Sequence, residues 1–183
     1  MYFSRFVSVL PLVAGLASAA PHSKRADTED ITIYAYGTNI SGLALYSGNN
    51  DGLAYIASAA SDSLTAITWD VSSTGAAWNA TAANTTSSIG SFFIVNSDSS
   101  YAAAGFLNSS STVPTGGVTT GFRVYGGQVV LVSDGALLSQ FWATPSDVEG
   151  VYSLMWNSDG TSQDNSVPVA LKTMAPSTTT TAE

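Results

Sequence analysis

Carboxylates are the side chains from which this sequence could most readily build a hydrolytic site. The candidates are Asp70, Asp134, Asp147 and Glu149. A glycosidase places two carboxyl groups about 5 Å or roughly 6.5–9.5 Å apart, depending on its stereochemistry. Asp147 and Glu149 would share one face of a strand, but the preceding Thr144-Pro145-Ser146 favours a turn. We therefore predict a solvated loop there and no catalytic residue, with a carboxylate glycosidase as the remaining enzymatic alternative.

Histidine and cysteine, which many catalytic sites use, are almost absent from the sequence. The sequence has no cysteine and one histidine, His22, which lies in a segment that we predict to be removed on secretion. Without an imidazole or a thiol, the mature chain cannot form a Ser-His-Asp triad, a Cys–His nucleophile or a zinc site with histidine ligands. The loops Asn49-Asn50-Asp51 and Asp159 to Asn165 carry oxygen ligands that suit Ca²⁺, but neither follows a recognised spacing. We predict a non-catalytic protein without metal or cofactor.

The two ends of the chain differ in composition from its middle. Residues 1–19 combine Arg5, an apolar run and small residues, which is typical of a secretion signal. Residues 20–25 end in the dibasic pair Lys24-Arg25, a predicted processing site, although two solvated charges remain an alternative. The apolar run is too short to span a bilayer. We expect a single β domain over 26–175 and a disordered Ser/Thr-rich tail over 176–183.

Processing would leave a strongly acidic protein. Arg123 and Lys172 would then be its only cations, against 13 carboxylates, a formal charge of −11. Such a surface repels nucleic acid and anionic membranes, so neither is a predicted partner. The high hydrophobic content, 45%, nevertheless indicates a packed core.

Short segments rich in β-branched and aromatic residues predict an all-β fold. Ile31 to Tyr36 and Leu64 to Val71 alternate with period two, and Gly42 to Tyr46 with Leu53 to Ala57 flank a turn and predict a hairpin. We expect about 8–11 short strands in an antiparallel sandwich or barrel, with a β-trefoil as the alternative. The stretch Ser72 to Ser91 is dominated by Ser, Thr, Ala and Asn and predicts a long surface loop.

Tryptophan and tyrosine side chains could offer flat faces on which sugar rings stack. Trp69 and Trp156 lie in strand patterns, which favours the core, and Trp142, Tyr34, Tyr36 and Tyr125 also follow strand patterns. Trp78 lies in the predicted Ser/Thr-rich loop. It is therefore the predicted ligand-facing aromatic.

Four sequons for N-glycosylation occur in the predicted domain. Their acceptors are Asn39, Asn79, Asn84 and Asn108. Chance would give one or two in a chain this rich in Ser, Thr and Asn, but secretion would make occupancy plausible. Glycans there would exclude these side chains from the core.

The predicted strands also support a family resemblance. The motifs are Gly121-Phe122, Gly127 to Leu131, Phe141-Trp142-Ala143, Glu149 to Trp156 and Val167 to Thr173, with Ser91 to Val95 and Tyr101 to Ala103 upstream. In order and spacing the chain resembles the small secreted cell-wall proteins of filamentous ascomycete fungi that are associated with phialides and spores. The resemblance implies a fungal source, an extracellular or cell-wall location and a structural or antigenic role. It implies no catalytic residue, and the family's cysteines have no counterpart here.

We therefore expect a secreted cell-wall or cell-surface glycoprotein that acts by binding or as part of a surface. Its predicted partner is a wall polysaccharide or a host surface receptor. An apoplastic effector that induces host cell death or an immune response is the first alternative. A glycan-binding module is the second.

Overall fold

The computed structural model describes residues 27–177 and contains no helix in that range. Sixteen strands account for its regular structure. They are β1 Thr28–Ile31, β2 Tyr34–Gly37, β3 Ile40–Gly48, β4 Ala54–Ala57, β5 Leu64–Val71, β6 Asn79–Ala82, β7 Ser88–Val95, β8 Tyr101–Ala103, β9 Gly105–Leu107, β10 Gly117–Val118, β11 Phe122–Tyr125, β12 Gln128–Ser133, β13 Ala136–Leu138, β14 Phe141–Pro145, β15 Tyr152–Asn157 and β16 Val167–Lys172. The predicted secretion signal, the predicted processing site Lys24-Arg25 and most of the predicted tail lie outside the described residues.

Six strands close into an antiparallel barrel, in the order β2-β3-β4-β15-β14-β16 and back to β2. The closing pair joins Leu171 to Ala35. Closure leaves no free edge among these strands, so every strand of the ring has two neighbours. The prediction of an all-β, antiparallel sandwich or barrel is confirmed, and the form observed is the barrel.

A second ring of pairings shares β3 and β4 with the barrel. β5 pairs with β3, and β6, β7 and β9 follow in order. A bridge from Gly105 in β9 to Leu53, next to β4, completes the ring. The other strands attach outside these rings: β1 on β5, β8 on β15, β10 on β7 and the β11-β12-β13 sheet on β16 through Gln128 and Lys172.

Most buried apolar side chains form one large core, and Tyr46, Ala57 and Leu64 form a second, smaller cluster. In β5, Ile67, Trp69 and Val71 are buried and Asp70 is exposed, as the alternation predicts. Trp69 lies 5.2 Å from Phe92 between ring centroids, in an edge-to-face arrangement. Trp156 is fully buried, so the core positions predicted for Trp69 and Trp156 are confirmed.

The predicted surface loop at Ser72 to Ser91 is wrong at Asn79–Ala82 and from Ser88 onward, which are strands. β6 and the start of β7 lie within it and pair with each other and with β5. Ala80 is fully buried between these strands, where its small side chain fits. These additional strands, together with several of only two to four residues, raise the number above the predicted 8–11.

No helix of the described residues is long and apolar enough to cross a membrane.

Candidate functional site

All four sequon asparagines lie on the surface. Asn39 is in the turn between β2 and β3, Asn79 begins β6, Asn84 is in the turn between β6 and β7, and Asn108 follows β9. Each is exposed. The structure therefore leaves every acceptor side chain accessible to a modifying enzyme.

Two of these sequons line the same surface groove. Asn79 pairs with Ser91 across β6 and β7, and Ser91 pairs with Leu107, the residue before Asn108. Both asparagines line an open groove of about 530 Å³. The Asn79 side-chain oxygen accepts a hydrogen bond from the Ser91 hydroxyl at 2.7 Å. Glycans at Asn79 and Asn108 would project from this groove and cover it.

Trp78 does not face solvent, which corrects its prediction as a ligand-facing aromatic. Its side chain has 0% exposure, its ring centroid lies 5.9 Å from that of Phe122, and its Nε1 donates to the Ser72 carbonyl at 3.3 Å. The period-two pattern of β6 extends back to Trp78, so that Trp78 and Ala80 point inward and Asn79 points outward. The Ser/Thr-rich composition concealed this alternation.

The remaining aromatics do not form a stacking platform. Trp142 is 9% exposed and packs edge-on to Tyr101, with ring centroids 6.4 Å apart. Tyr36 lies beneath the Lys172 ammonium, 5.1 Å from its ring centroid, and donates its hydroxyl hydrogen to the Met174 carbonyl. Tyr125, at 69%, is the one aromatic with a largely exposed side chain between residues 27 and 177.

The structure disperses the candidate carboxylates over the surface. Asp70 lies in β5, Asp134 in the turn between β12 and β13, and Asp147 and Glu149 in the turn between β14 and β15. All four are exposed. The turn predicted at Asp147 and Glu149 is confirmed: Ser146 N–H donates to the Val151 carbonyl across it.

One groove brings Asp147 near another carboxylate, Asp51. The two residues line an open cleft of about 230 Å³. Both Asp51 oxygens already have donors, because Oδ1 accepts from Leu53 N–H at 2.9 Å and Oδ2 accepts from the Tyr55 hydroxyl at 2.6 Å. Asp51 therefore fixes the turn of the β3-β4 hairpin, which is confirmed as predicted.

The hydrogen bond between Tyr55 and Asp51 predicts a stability difference that depends on pH. Burial, followed by the bond to the Asp51 carboxylate and its charge, raises the pKa of Tyr55 from 10.0 to about 12. Since the folded pKa is the higher one, the stabilisation is complete below pH 10 and is lost as the pH rises from 10 to 12. We expect Tyr55→Phe to lower the free energy of unfolding by about 1 kcal/mol at neutral pH, allowing for partial exposure.

Urea unfolding of both proteins from pH 8 upward measures this difference. Tyr125→Phe is the control, because that phenol is largely exposed. A difference between Tyr55→Phe and the parent that stays constant through pH 12 would contradict the prediction.

Among residues 27–177, no group of three or more Asp, Glu, His or Cys side chains is placed to hold a metal ion. The loops Asn49 to Asp51 and Asp159 to Asn165 thus do not gather such a set.

The fold and surface define an all-β barrel protein with exposed sequons. No protein-family model, curated protein or solved structure matches this chain. The resemblance to the phialide-associated wall proteins therefore stays a prediction.

Proposed function

We propose that this chain is a secreted N-glycoprotein of the fungal cell wall or cell surface, with a structural or binding role and no catalytic one. The observation that carries the proposal is the exposure of all four sequon asparagines. An acceptor within a core strand would be inaccessible, and four accessible acceptors are consistent with passage through the secretory pathway.

The positions of the sequons support a protective role for their glycans. Asn79, Asn84 and Asn108 all belong to the β6-β7-β9 region, whereas β11 to β16 contain none. Charged residues make up only 10% of the chain, so glycans would supply hydration that the side chains do not. The glycan-free β11 to β16 region would then be the one available for contact with a wall polymer or a receptor.

The burial of Trp78 removes the main support for a glycan-binding module that stacks sugars on an exposed tryptophan. An apoplastic effector would share the exposed sequons and the compact barrel. An effector would differ in that it induces a response in the host. The test of the proposal therefore includes an assay of that response.

Asparagine substitutions in the natural fungal host test the proposal. We expect Asn39→Gln, Asn79→Gln, Asn84→Gln and Asn108→Gln each to remove the mass of one N-glycan from the mature protein. Asn50→Gln is the matched control, because Asn50 is exposed but is not in a sequon. The measurement is intact mass before and after N-glycosidase treatment, on protein extracted separately from culture filtrate and from walls digested with lytic enzymes.

We expect most of the protein to be recovered from digested walls. We also expect each of the four sequon substitutions to lower the mass of the protein by one N-glycan. Unmodified protein retained inside the cell would contradict secretion and glycosylation together. Recovery only from the filtrate, with necrosis when the purified protein is infiltrated into leaves, would favour the effector instead.

A further inference from the structure

A cavity of about 270 Å³ lies between β1, β5, β11 and the loop that follows β5. We refer to it as the Arg123 cavity. Its apolar lining residues are Ile31, Val71 and Val124, and the polar residues Ser72, Ser73 and Thr173 also line it. Ligand pockets are typically mostly apolar with a few polar groups that orient the ligand, and this cavity has that composition at a size close to their lower limit.

Arg123 lines this cavity and is held in position by backbone groups. Its Nη1 donates to the Phe122 carbonyl at 3.1 Å, and its Nη2 donates to the Thr74 carbonyl. Gly75 lies directly against the guanidinium, since a Cβ at this position would overlap with Nη1. The loop after β5 thus fixes the guanidinium before any ligand arrives, which lowers the entropic cost of binding.

Among residues 27–177 the guanidinium forms no ion pair with an acidic side chain, and its hydrogen-bond acceptors are these two carbonyls. A guanidinium has five N–H donors, so three are free of protein acceptors in this range. If Arg123 served only to hold the loop after β5 in place, its two hydrogen bonds to carbonyls would be sufficient. A partly buried cation without a counterion, beside an apolar wall, fits an anion that carries an apolar body.

The surroundings also select the charge of that anion. Ser73, which lines the cavity, donates its backbone N–H to Asp27 Oδ1 at 2.6 Å. Arg123 is the only charged residue that lines the cavity, and its single positive charge matches a monoanion better than a doubly charged phosphate. A planar carboxylate also matches the fork of an arginine.

We propose that the Arg123 cavity binds a small amphipathic carboxylic acid, with its carboxylate on the Arg123 guanidinium and its apolar body against Ile31, Val71 and Val124. This site does not depend on secretion, on glycosylation or on the role in the wall. Its failure would leave the proposed function unchanged.

Octanoate is the probe, and the Nε–Hε signal of Arg123 in ¹H–¹⁵N NMR spectra of the mature protein is the readout. Arg123 is the only arginine after residue 25, so this signal needs no further assignment. We expect a saturable shift with octanoate and an affinity for octanol that is about tenfold lower, because octanol lacks the charge that strengthens the hydrogen bonds. Acetate, which lacks the apolar body, is also expected to bind more weakly than octanoate.

Thr28 provides variants that leave the guanidinium and its contacts intact. It lies on the rim of the cavity and is exposed, so Thr28→Trp should block the cavity and Thr28→Glu should repel the anion. Each is expected to weaken octanoate binding at least about tenfold. Thr112→Trp and Thr112→Glu are matched controls at an exposed residue that does not line the cavity. The proposal would be overturned if octanol bound as tightly as octanoate or if octanoate caused no saturable shift. It would also be overturned if both Thr28 variants bound octanoate as tightly as the parent.

Discussion

Replacing Trp78 with alanine is expected to lower the free energy of unfolding by about 3–5 kcal/mol. The indole is fully buried against Phe122, and its Nε1 donates to the Ser72 carbonyl, so the substitution leaves both a cavity and an unpaired carbonyl. Domains of this kind have a total stability of about 5–15 kcal/mol, so the loss would be a large part of it. Urea unfolding followed by tryptophan fluorescence and circular dichroism measures the change.

Tyr125→Ala is the matched aromatic control. Tyr125 is 69% exposed at the end of β11, and its removal is expected to change the stability by less than about 0.5 kcal/mol. If Trp78→Ala were as mild as Tyr125→Ala, Trp78 would not be a core residue. Its original interpretation as a surface aromatic would then return.

Gly90→Ala is expected to destabilise the protein by about 2–5 kcal/mol, because it combines backbone strain with a steric overlap. Gly90 has a φ of +135° and pairs with Ala80 in the middle of the second ring. A Cβ at Gly90 would overlap with the Leu107 carbonyl oxygen of β9. Relief of that overlap requires β7 and β9 to separate, which breaks their pairing.

Gly135→Ala is the control that separates the effect of steric overlap from the effect of backbone strain. Gly135 also has a positive φ, +80°, but no atom lies within 4 Å of the position of its Cβ. We expect a loss of only about 1–2 kcal/mol there. Equal losses at Gly90 and Gly135 in urea unfolding would show that the close approach of β9 contributes nothing.

The sequence predicted much of the local structure because the periodicity of a strand is a local property. Alternation in Leu64 to Val71 correctly assigned Trp69 to the core and Asp70 to solvent. The turn residues Asn49 to Gly52 correctly marked the β3-β4 hairpin. The same reasoning failed at Trp78, where composition was given more weight than the inward and outward alternation of three residues.

The candidate sites also differ in how far the sequence predicted them. The sequons could be read directly from the sequence, and their exposure follows from turns and strand ends that local residues define. The Arg123 cavity could not be predicted, because Arg123 contacts Thr74 and Gly75, which are about fifty residues earlier in the chain. Only the pairing order of the strands brings them together.

By itself the sequence determined the all-β class, many of the strands and their inward faces, the four sequons and the absence of cysteine and of a histidine after residue 22. The tertiary structure alone decided that β4 pairs with β15 and β16 with β2, so that the sheet closes into a barrel. It also decided the burial of Trp78 and the position of Arg123. The physical reason is that side-chain alternation depends on neighbouring residues, whereas the choice of partner strand depends on how the whole chain buries its apolar surface.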